Sequence, residues 1–472
     1  MKKIFCISLI FSMVLLLCAC GSGETAGKRE GLHAGFARAD ATPTTQVNIS
    51  GGDSRNRLST GFRDPINVTC VALCYNEEIY LVYTLDYITA SSDYTEPAET
   101  LITQATGVPA NRIIMNCTHT HSGPAIGYDY ETIRPYRDVF NKAAVKAAKE
   151  AIDDLAPATV AAGATETEGL IFVRHYEMDN GTFAGANYGS FSGSIKGHAY
   201  EGDSQVQMVR FVREGEDKKD IILISNPAHA TAVSGTDRDM LSADIAYSVR
   251  NYVEENTGCH VAYFIGAAGD QVPSSRIPAE GSTNDYLKYG ERMGKYVVDA
   301  LPGLTELSSG DIRLNTWSYT GKTIKEGIER LEDAKKVREV ISKYGNGAPE
   351  SKAAASQYGF SSVYQATAIV SRANRGDTAT MELNTITLGD LAFVFAPYEM
   401  FSESGKYIKE NSPYPMTFII SCSEDHQGYI PTANGFRVEC YETHVTVYER
   451  GTAEALAELY VEKLTEDKNQ TR

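Results

Sequence analysis

The sequence predicts an α/β protein, with mixed β-sheets covered by helices in one large domain. Three observations carry this. Apolar segments of strand length alternate with amphipathic segments of helix length along nearly the whole chain. The 472 residues, 42% of them hydrophobic, suffice for an extensive core. Reactive residues repeatedly stand just after the apolar segments, where α/β folds collect their sites because the sheet is rigid and the loops vary. No internal repeat, heptad array or second-domain boundary interrupts the pattern.

Met1-Lys2-Lys3 is a basic start, and Ile4 to Leu17 is an apolar run too short for an ordinary spanning helix. It ends in Leu17-Cys18-Ala19-Cys20, followed by Gly21-Ser22-Gly23. This resembles a bacterial lipoprotein signal, with residues 1–19 removed, a lipid on the Cys20 sulfur and residues 20–31 as a flexible tether. A plain secretory signal is the alternative, and both export the chain. The first predicts a membrane-anchored lipoprotein at the bacterial cell surface or in the periplasm.

Residues 32–466 then carry the folded elements, with 467–472 as a polar tail. Val68–Leu73 and Glu78–Leu85 are apolar and rich in β-formers, hence strands. Tyr94–Thr106 and the Ala- and Lys-rich Pro135–Leu155 are helices, with the strand Arg112–Cys117 between them. Thr159–Thr165, Val206–Val212 and Ile221–Ser225 are strands, and Asn180–Gly197 is a glycine-rich surface excursion. Ser242–Glu255 is an amphipathic helix with Ser242 as its N-cap. The strand Val261–Gly266, the helix Tyr286–Leu301 and the charged surface helix Lys325–Tyr344 follow. Met381–Leu388, Leu391–Ala396 and Met416–Ser421 are strands, and Ala453–Leu464 is the last helix.

Net charge is −17, with acids scattered rather than blocked, which argues against nucleic acid as a partner. Past the signal, Cys70, Cys74, Cys117, Cys259, Cys422 and Cys440 form no C-x-x-C pair and no disulfide scaffold, although an isolated bridge is compatible with the spacing.

The chemistry concentrates first in Thr118-His119-Thr120-His121-Ser122-Gly123-Pro124. On extended backbone an H-x-H points both imidazoles to one face. Such a pair can put one nitrogen on a metal and keep the other for proton transfer, or the two can simply be hydrogen-bonded at a strand end. Further strand-end motifs are Asn226-Pro227-Ala228-His229, Gly269-Asp270, Pro397-Tyr398-Glu399 and Gly428-Tyr429, with Tyr441-Glu442 beyond.

Together these motifs resemble the neutral/alkaline (non-lysosomal) ceramidase family in its N-terminal catalytic domain, over Leu32 to about Leu464. T-H-T-H-S-G-P is the strongest shared element. The resemblance implies a single catalytic domain that cleaves an amide of a ceramide-like N-acyl lipid, with Zn2+ held by His119, His229, Glu399 and Tyr429. Imidazole and carboxylate are ordinary zinc ligands, though other divalent ions also bind such sets. His121 would exchange protons with the attacking water or the leaving amine. Arg174 falls where the family places an arginine near the substrate, and it or Tyr441 would steady an oxyanion. A surface ion pair is the alternative role for Arg174.

Two departures bear on the substrate. The family's Gly-Asp-Val-Ser-Pro-Asn carries a serine held essential for amide cleavage, whereas this chain reads Gly269-Asp270-Gln271-Val272-Pro273-Ser274. Ser274 and Ser275 are out of that register. The family's full-length members also continue into a C-terminal β-sandwich domain. A zinc hydrolase of another amide or ester, or a ligand-binding lipoprotein without catalysis, are the alternatives to ceramide cleavage.

Overall fold

The computed structural model describes residues 29–185, 193–233, 237–277, 280, 283 and 285–470. The expected signal, Cys20 and most of the tether lie outside the described residues.

Two sheets pack face to face, with helices on their outer faces. The larger, nine-stranded sheet runs in the order His260–Ile265, Ile221–Asn226, Gln205–Arg213, Ala156–Glu166, Leu32–Asp40, Asn67–Tyr75, Glu78–Leu85, Ile113–Cys117, with Thr305–Leu307 added beside Ala156–Glu166. The smaller runs Ile312–Lys322, Thr378–Leu388, Leu391–Phe395, Met416–Ile420. Between them lies one apolar layer, in which Phe36, Val71, Phe211 and Phe264 meet Ile386, Phe393 and Phe418. Helices Ser92–Thr106 and Tyr136–Asp153 cover one half of the large sheet's outer face, and Ile245–Thr257 and Tyr286–Ala300 the other. Helix Thr452–Gln470 packs on the small sheet through Leu456, Tyr460 and Leu464. This is the predicted α/β class, with mixed sheets between helices. Among the described residues no helix is long and apolar enough to cross a membrane.

Chain direction within the sheets decides where the site forms. Most neighbours are antiparallel, but Glu78–Leu85 with Ile113–Cys117, and Ile221–Asn226 with His260–Ile265, are parallel pairs at the two edges of the large sheet. Leu391–Phe395 with Met416–Ile420 is a third, in the small sheet. Each pair is joined by a crossover that includes a helix, as a parallel connection requires. The parallel strands Ile221–Asn226, Leu391–Phe395 and Met416–Ile420 are buried along their whole length, which accounts for their continuous apolar runs. Their carboxyl ends meet at a seam where Cys117 N–H donates to Cys422 O at 3.1 Å and Ser421 N–H donates to Ile265 O at 2.9 Å.

Several expectations shift. The predicted N-cap of the helix after Ser242 is instead Asp244, whose carboxylate accepts from Ile245 N–H. Ser242 takes a supporting role: its hydroxyl donates to Asp64 and accepts from Asp244 N–H. The helix predicted from Lys325 starts at Leu331, because Gly327 turns the chain at φ +85° into a short 3-10 segment. The excursion Asn180–Gly197 contributes to a small sheet of His175–Met178, Phe183–Gly185 and Ile195–His198, with residues 186–192 outside the described set. The tail expected from 467 is helical to Gln470, because Asp467 is buried and accepts from Arg313, Asn315, Thr387 and Tyr414. Strands Leu32–Asp40 and Ile312–Lys322 and helices Pro349–Gln357 and Val363–Asn374 were not anticipated.

Candidate metal centre

The residues that follow the parallel strands turn in towards the seam. His119 and His121 come two and four residues after Ile113–Cys117, and His229 three residues after Ile221–Asn226. Glu399 and Tyr429 follow the parallel strands of the small sheet and pair with each other in a short parallel bridge. His119, His229, Glu399 and Tyr429 are all buried.

His119 does not lie on extended backbone, as the H-x-H reading assumed. Its φ is +61°, in the left-handed region that costs a side-chain-bearing residue about 1 kcal/mol or more. The strand has already ended at Cys117. The two imidazoles converge through this reversal rather than through strand alternation, and their Nε2 atoms are 3.3 Å apart.

The ring protons are committed elsewhere. His119 Nδ1–H donates to Ile88 O at 2.7 Å, and His229 Nδ1–H donates to Ala268 O at 2.6 Å. Carbonyl partners of this kind orient metal-binding imidazoles and fix their tautomer. Both Nε2 lone pairs therefore face inward, 3.0 Å from each other. Glu399 Oε2 lies 3.2 Å from one and 3.1 Å from the other, and among the described residues no hydrogen-bond donor reaches it. Tyr429 OH is 3.2 Å from His229 Nε2. Four ligands about 2.0–2.1 Å from a tetrahedral cation stand roughly 3.3 Å apart, so this donor set fits one small divalent ion. His121 Nε2 stands 3.3 Å from His119 Nε2, and one nitrogen each of His119, His121 and His229 lie within 4.8 Å of one another.

Electrostatics point the same way. Lone pairs facing a carboxylate require positive charge. Burial opposes charge on His119, but Cys422, whose Sγ is 3.4 Å from Nδ1, and Glu399 together raise its pKa well above the usual imidazole value. Burial, with His119 and His229 nearby, drives His121 well below it, and burial with Arg174 and His119 pushes His229 down to about 4. Glu399 is pulled well below the ordinary carboxylate range by His119, against its burial. A bound cation or a proton on His119 would supply the positive charge that these lone pairs and the carboxylate favour.

Arg174 is buried, not a surface ion pair. Its Nη2 lies 2.6 Å from Glu442 Oε1 and donates to Gly269 O at 2.6 Å, and its guanidinium stands 5.5 Å from the Tyr429 ring centre. Burial works against its charge, and Glu442 with Tyr429 more than restores it. Tyr441 packs edge-on against Tyr429 at 5.6 Å, with Tyr364 behind it at 4.9 Å. All seven residues singled out in the sequence therefore gather in one region.

Sequence reasoning missed the supports. Gln271 ties the loops together: its carbonyl accepts from His229 N–H, and its side-chain amide donates to Pro227 O at 2.8 Å. Val272, next in the chain, pairs with Phe172 on the strand leading to Arg174. Gly269 is required because a Cβ there would stand 2.5 Å from Glu399 O and 2.9 Å from Met400 O. Asp244 accepts from Ala232 and Val233 N–H, holding the loop after His229. The one available sequence signal was Asp244, an aspartate directly before a helix.

No family model and no curated protein matches this sequence. Solved structures do. A ceramidase complexed with C2 aligns with a TM-score of 0.68 at 14% identity, covering 94% of this chain and 76% of that one. A neutral ceramidase from Pseudomonas aeruginosa aligns at 0.67 and 15% identity, covering 92% and 74%. The chain therefore shares the ceramidase fold over nearly its whole length.

Proposed function

We propose that this protein is a zinc-dependent amidohydrolase of the neutral ceramidase type, acting on an N-acylated lipid amide. The observation that supports it best is the facing of two imidazole lone pairs and a buried carboxylate within 3.0–3.2 Å of one another, with a phenol 3.2 Å from His229 Nε2. His119, His229, Glu399 and Tyr429 would hold the ion. Bound there, zinc supplies a Lewis acid and a water acidic enough to attack at neutral pH. His121, with its Nε2 3.3 Å from that of His119, would accept a proton beside that centre and pass it to the leaving amine. Arg174, kept charged by Glu442, and the Tyr441 hydroxyl would steady the oxyanion.

A second reading keeps the chemistry and changes the substrate. Val272 offers no hydroxyl where the family has a serine. Loop Ser50–Gly51 is clamped to the His121 backbone by Arg57, and next to it lies a cavity of about 250 Å³ lined by Asp53, Arg55, Tyr128, Tyr130, Arg338 and Asn346. That lining suits a polar, hydrogen-bonding group better than an acyl chain, and with Val272 it is the ground for an amide other than ceramide should the substrate reach it.

Metal content and a substrate panel test both. Chelation abolishes hydrolysis and zinc restores it. His121→Ala keeps the metal and loses on the order of a hundredfold or more in rate. Cleavage of N-acyl sphingoid bases supports the first reading, and cleavage confined to polar amides supports the second. Full activity in metal-free protein overturns both. Export as a lipoprotein belongs to the same proposal: Cys20→Ser releases the protein from the membrane, and unchanged retention would refute the anchor.

A further inference from the structure

A second group of metal-binding atoms lies behind Arg174. His175 is on the small three-stranded sheet, and Cys440 and Glu442 flank the start of helix Tyr441–Val445. All three are buried, and their donor atoms lie within 4.8 Å of one another. His175 Nε2 is 3.4 Å from Cys440 Sγ and 3.3 Å from Glu442 Oε2. Around a tetrahedral zinc-type ion, nitrogen and sulfur ligands stand roughly 3.6 Å apart and nitrogen and oxygen roughly 3.3 Å.

The surrounding bonds set the chemistry of these atoms. The Tyr200 hydroxyl bonds the Asp270 carboxylate, which can only accept, so its oxygen is left to receive His175 Nδ1–H, 2.8 Å away. The imidazole proton is thereby placed on Nδ1, and the Nε2 lone pair faces the thiol and the carboxylate. A ligand histidine whose other nitrogen is held by a fixed oxygen, here the Tyr200 hydroxyl, is a recurring support for metal ligands. Glu442 splits its duties: Oε1 pairs with Arg174 at 2.6 Å, and Oε2 turns to the cluster. Gly185 closes the group from one side, since a Cβ there would stand 2.6 Å from Cys440 Cβ and 3.8 Å from His175 Cδ2.

We infer that His175, Cys440 and Glu442 form a second, structural site for a thiophilic divalent cation of the zinc class, separate from the His119 centre. On binding, a metal–sulfur bond forms, the Cys440 S–H bond breaks and its proton leaves to solvent. The ion fixes Glu442, and through it the position of Arg174.

Cobalt distinguishes the two centres, because the second has a thiol among its ligands, whereas Cys422 at the first lies 3.4 Å from His119 Nδ1, the nitrogen turned away from the proposed ion. The purified chain is stripped with a chelator and reloaded with Zn2+ or Co2+. Two ions per chain are expected, and the cobalt form shows a thiolate-to-cobalt charge-transfer band in the near ultraviolet. Cys440→Ser loses that band and one ion, whereas His119→Ala loses the other ion and keeps the band. The unsubstituted protein alone is decisive should either variant fold poorly. Absence of the thiolate band, at one or two ions per chain, or a band that survives Cys440→Ser overturns the inference. Failure at the His119 centre alone would show as a lone ion with the band retained, and would count against the proposed function instead.

Discussion

The parallel strand pairs and the antiparallel strands between them differ in direction and in consequence. Antiparallel Ala156–Glu166 is only partly buried, while parallel Ile221–Asn226 and Met416–Ile420 are buried throughout. Nearly all of antiparallel Asn67–Tyr75 is also buried under its covering helices, so direction and not burial sets the parallel pairs apart. Successive antiparallel strands end at opposite edges of a sheet, so their loops are kept apart. Both strands of a parallel pair end at the same edge. Three such pairs therefore send their loops to one seam, and His119, His229, Gly269, Glu399 and Tyr429 all arrive there. The antiparallel middle holds the sheets together, and the parallel edges build the site.

The largest expected effect lies at the edges. His119→Ala should lose the metal and cut turnover on the order of a thousandfold or more, with the fold intact by circular dichroism. Retained activity would break the assignment of the site to the parallel seam. The middle should behave in the opposite way. Phe211→Ala, in the shared apolar layer, should cost about 3–5 kcal/mol in denaturant unfolding while leaving metal stoichiometry unchanged in the protein that stays folded. Gly269→Ala tests the join between the two, since its Cβ meets the carbonyls of Glu399 and Met400. A loss of about 1–3 kcal/mol is expected, together with weaker metal binding measured by competition with a chelator.

The smallest effect is a pH dependence in the connecting loops. Burial raises the Asp64 carboxyl to about 7, against hydrogen bonds from Ser242 and Ala243. The folded state then binds more protons than the unfolded one between about 4 and 7, so this group's contribution to stability falls as pH rises through that window. Asp64→Asn should flatten the decline in melting temperature from pH 5 to pH 7.5. An unchanged slope would locate it in another group.

The element pattern was legible because parallel strands read as apolar runs and covering helices as amphipathic ones. Glu78–Leu85 is found where the sequence places it, and Tyr286–Ala300 ends one residue earlier than expected. Strand Ile312–Lys322 was missed because its polar, half-exposed residues give a weak signal, and its place is fixed by eleven-residue pairing with Thr378–Leu388. Site residues were legible where reactive side chains follow a strand. Their supports were not: the carbonyls of Ile88 and Ala268 carry no side-chain signal at all, and Gln271 and Tyr200 have ordinary neighbours in the chain.

By itself the sequence determined the fold class, the strand-end positions of His119, His229 and Glu399, and the acidic surface, because periodicity and local motif chemistry are properties of neighbouring residues. Only the tertiary structure decided which nitrogen of each imidazole faces inward, that His119 turns through a left-handed backbone, that Arg174 is buried against Glu442, and that His175 meets Cys440 across 265 positions of chain. Each of these rests on partners distant in sequence, brought together by the packing of two sheets and the common direction of their parallel strands.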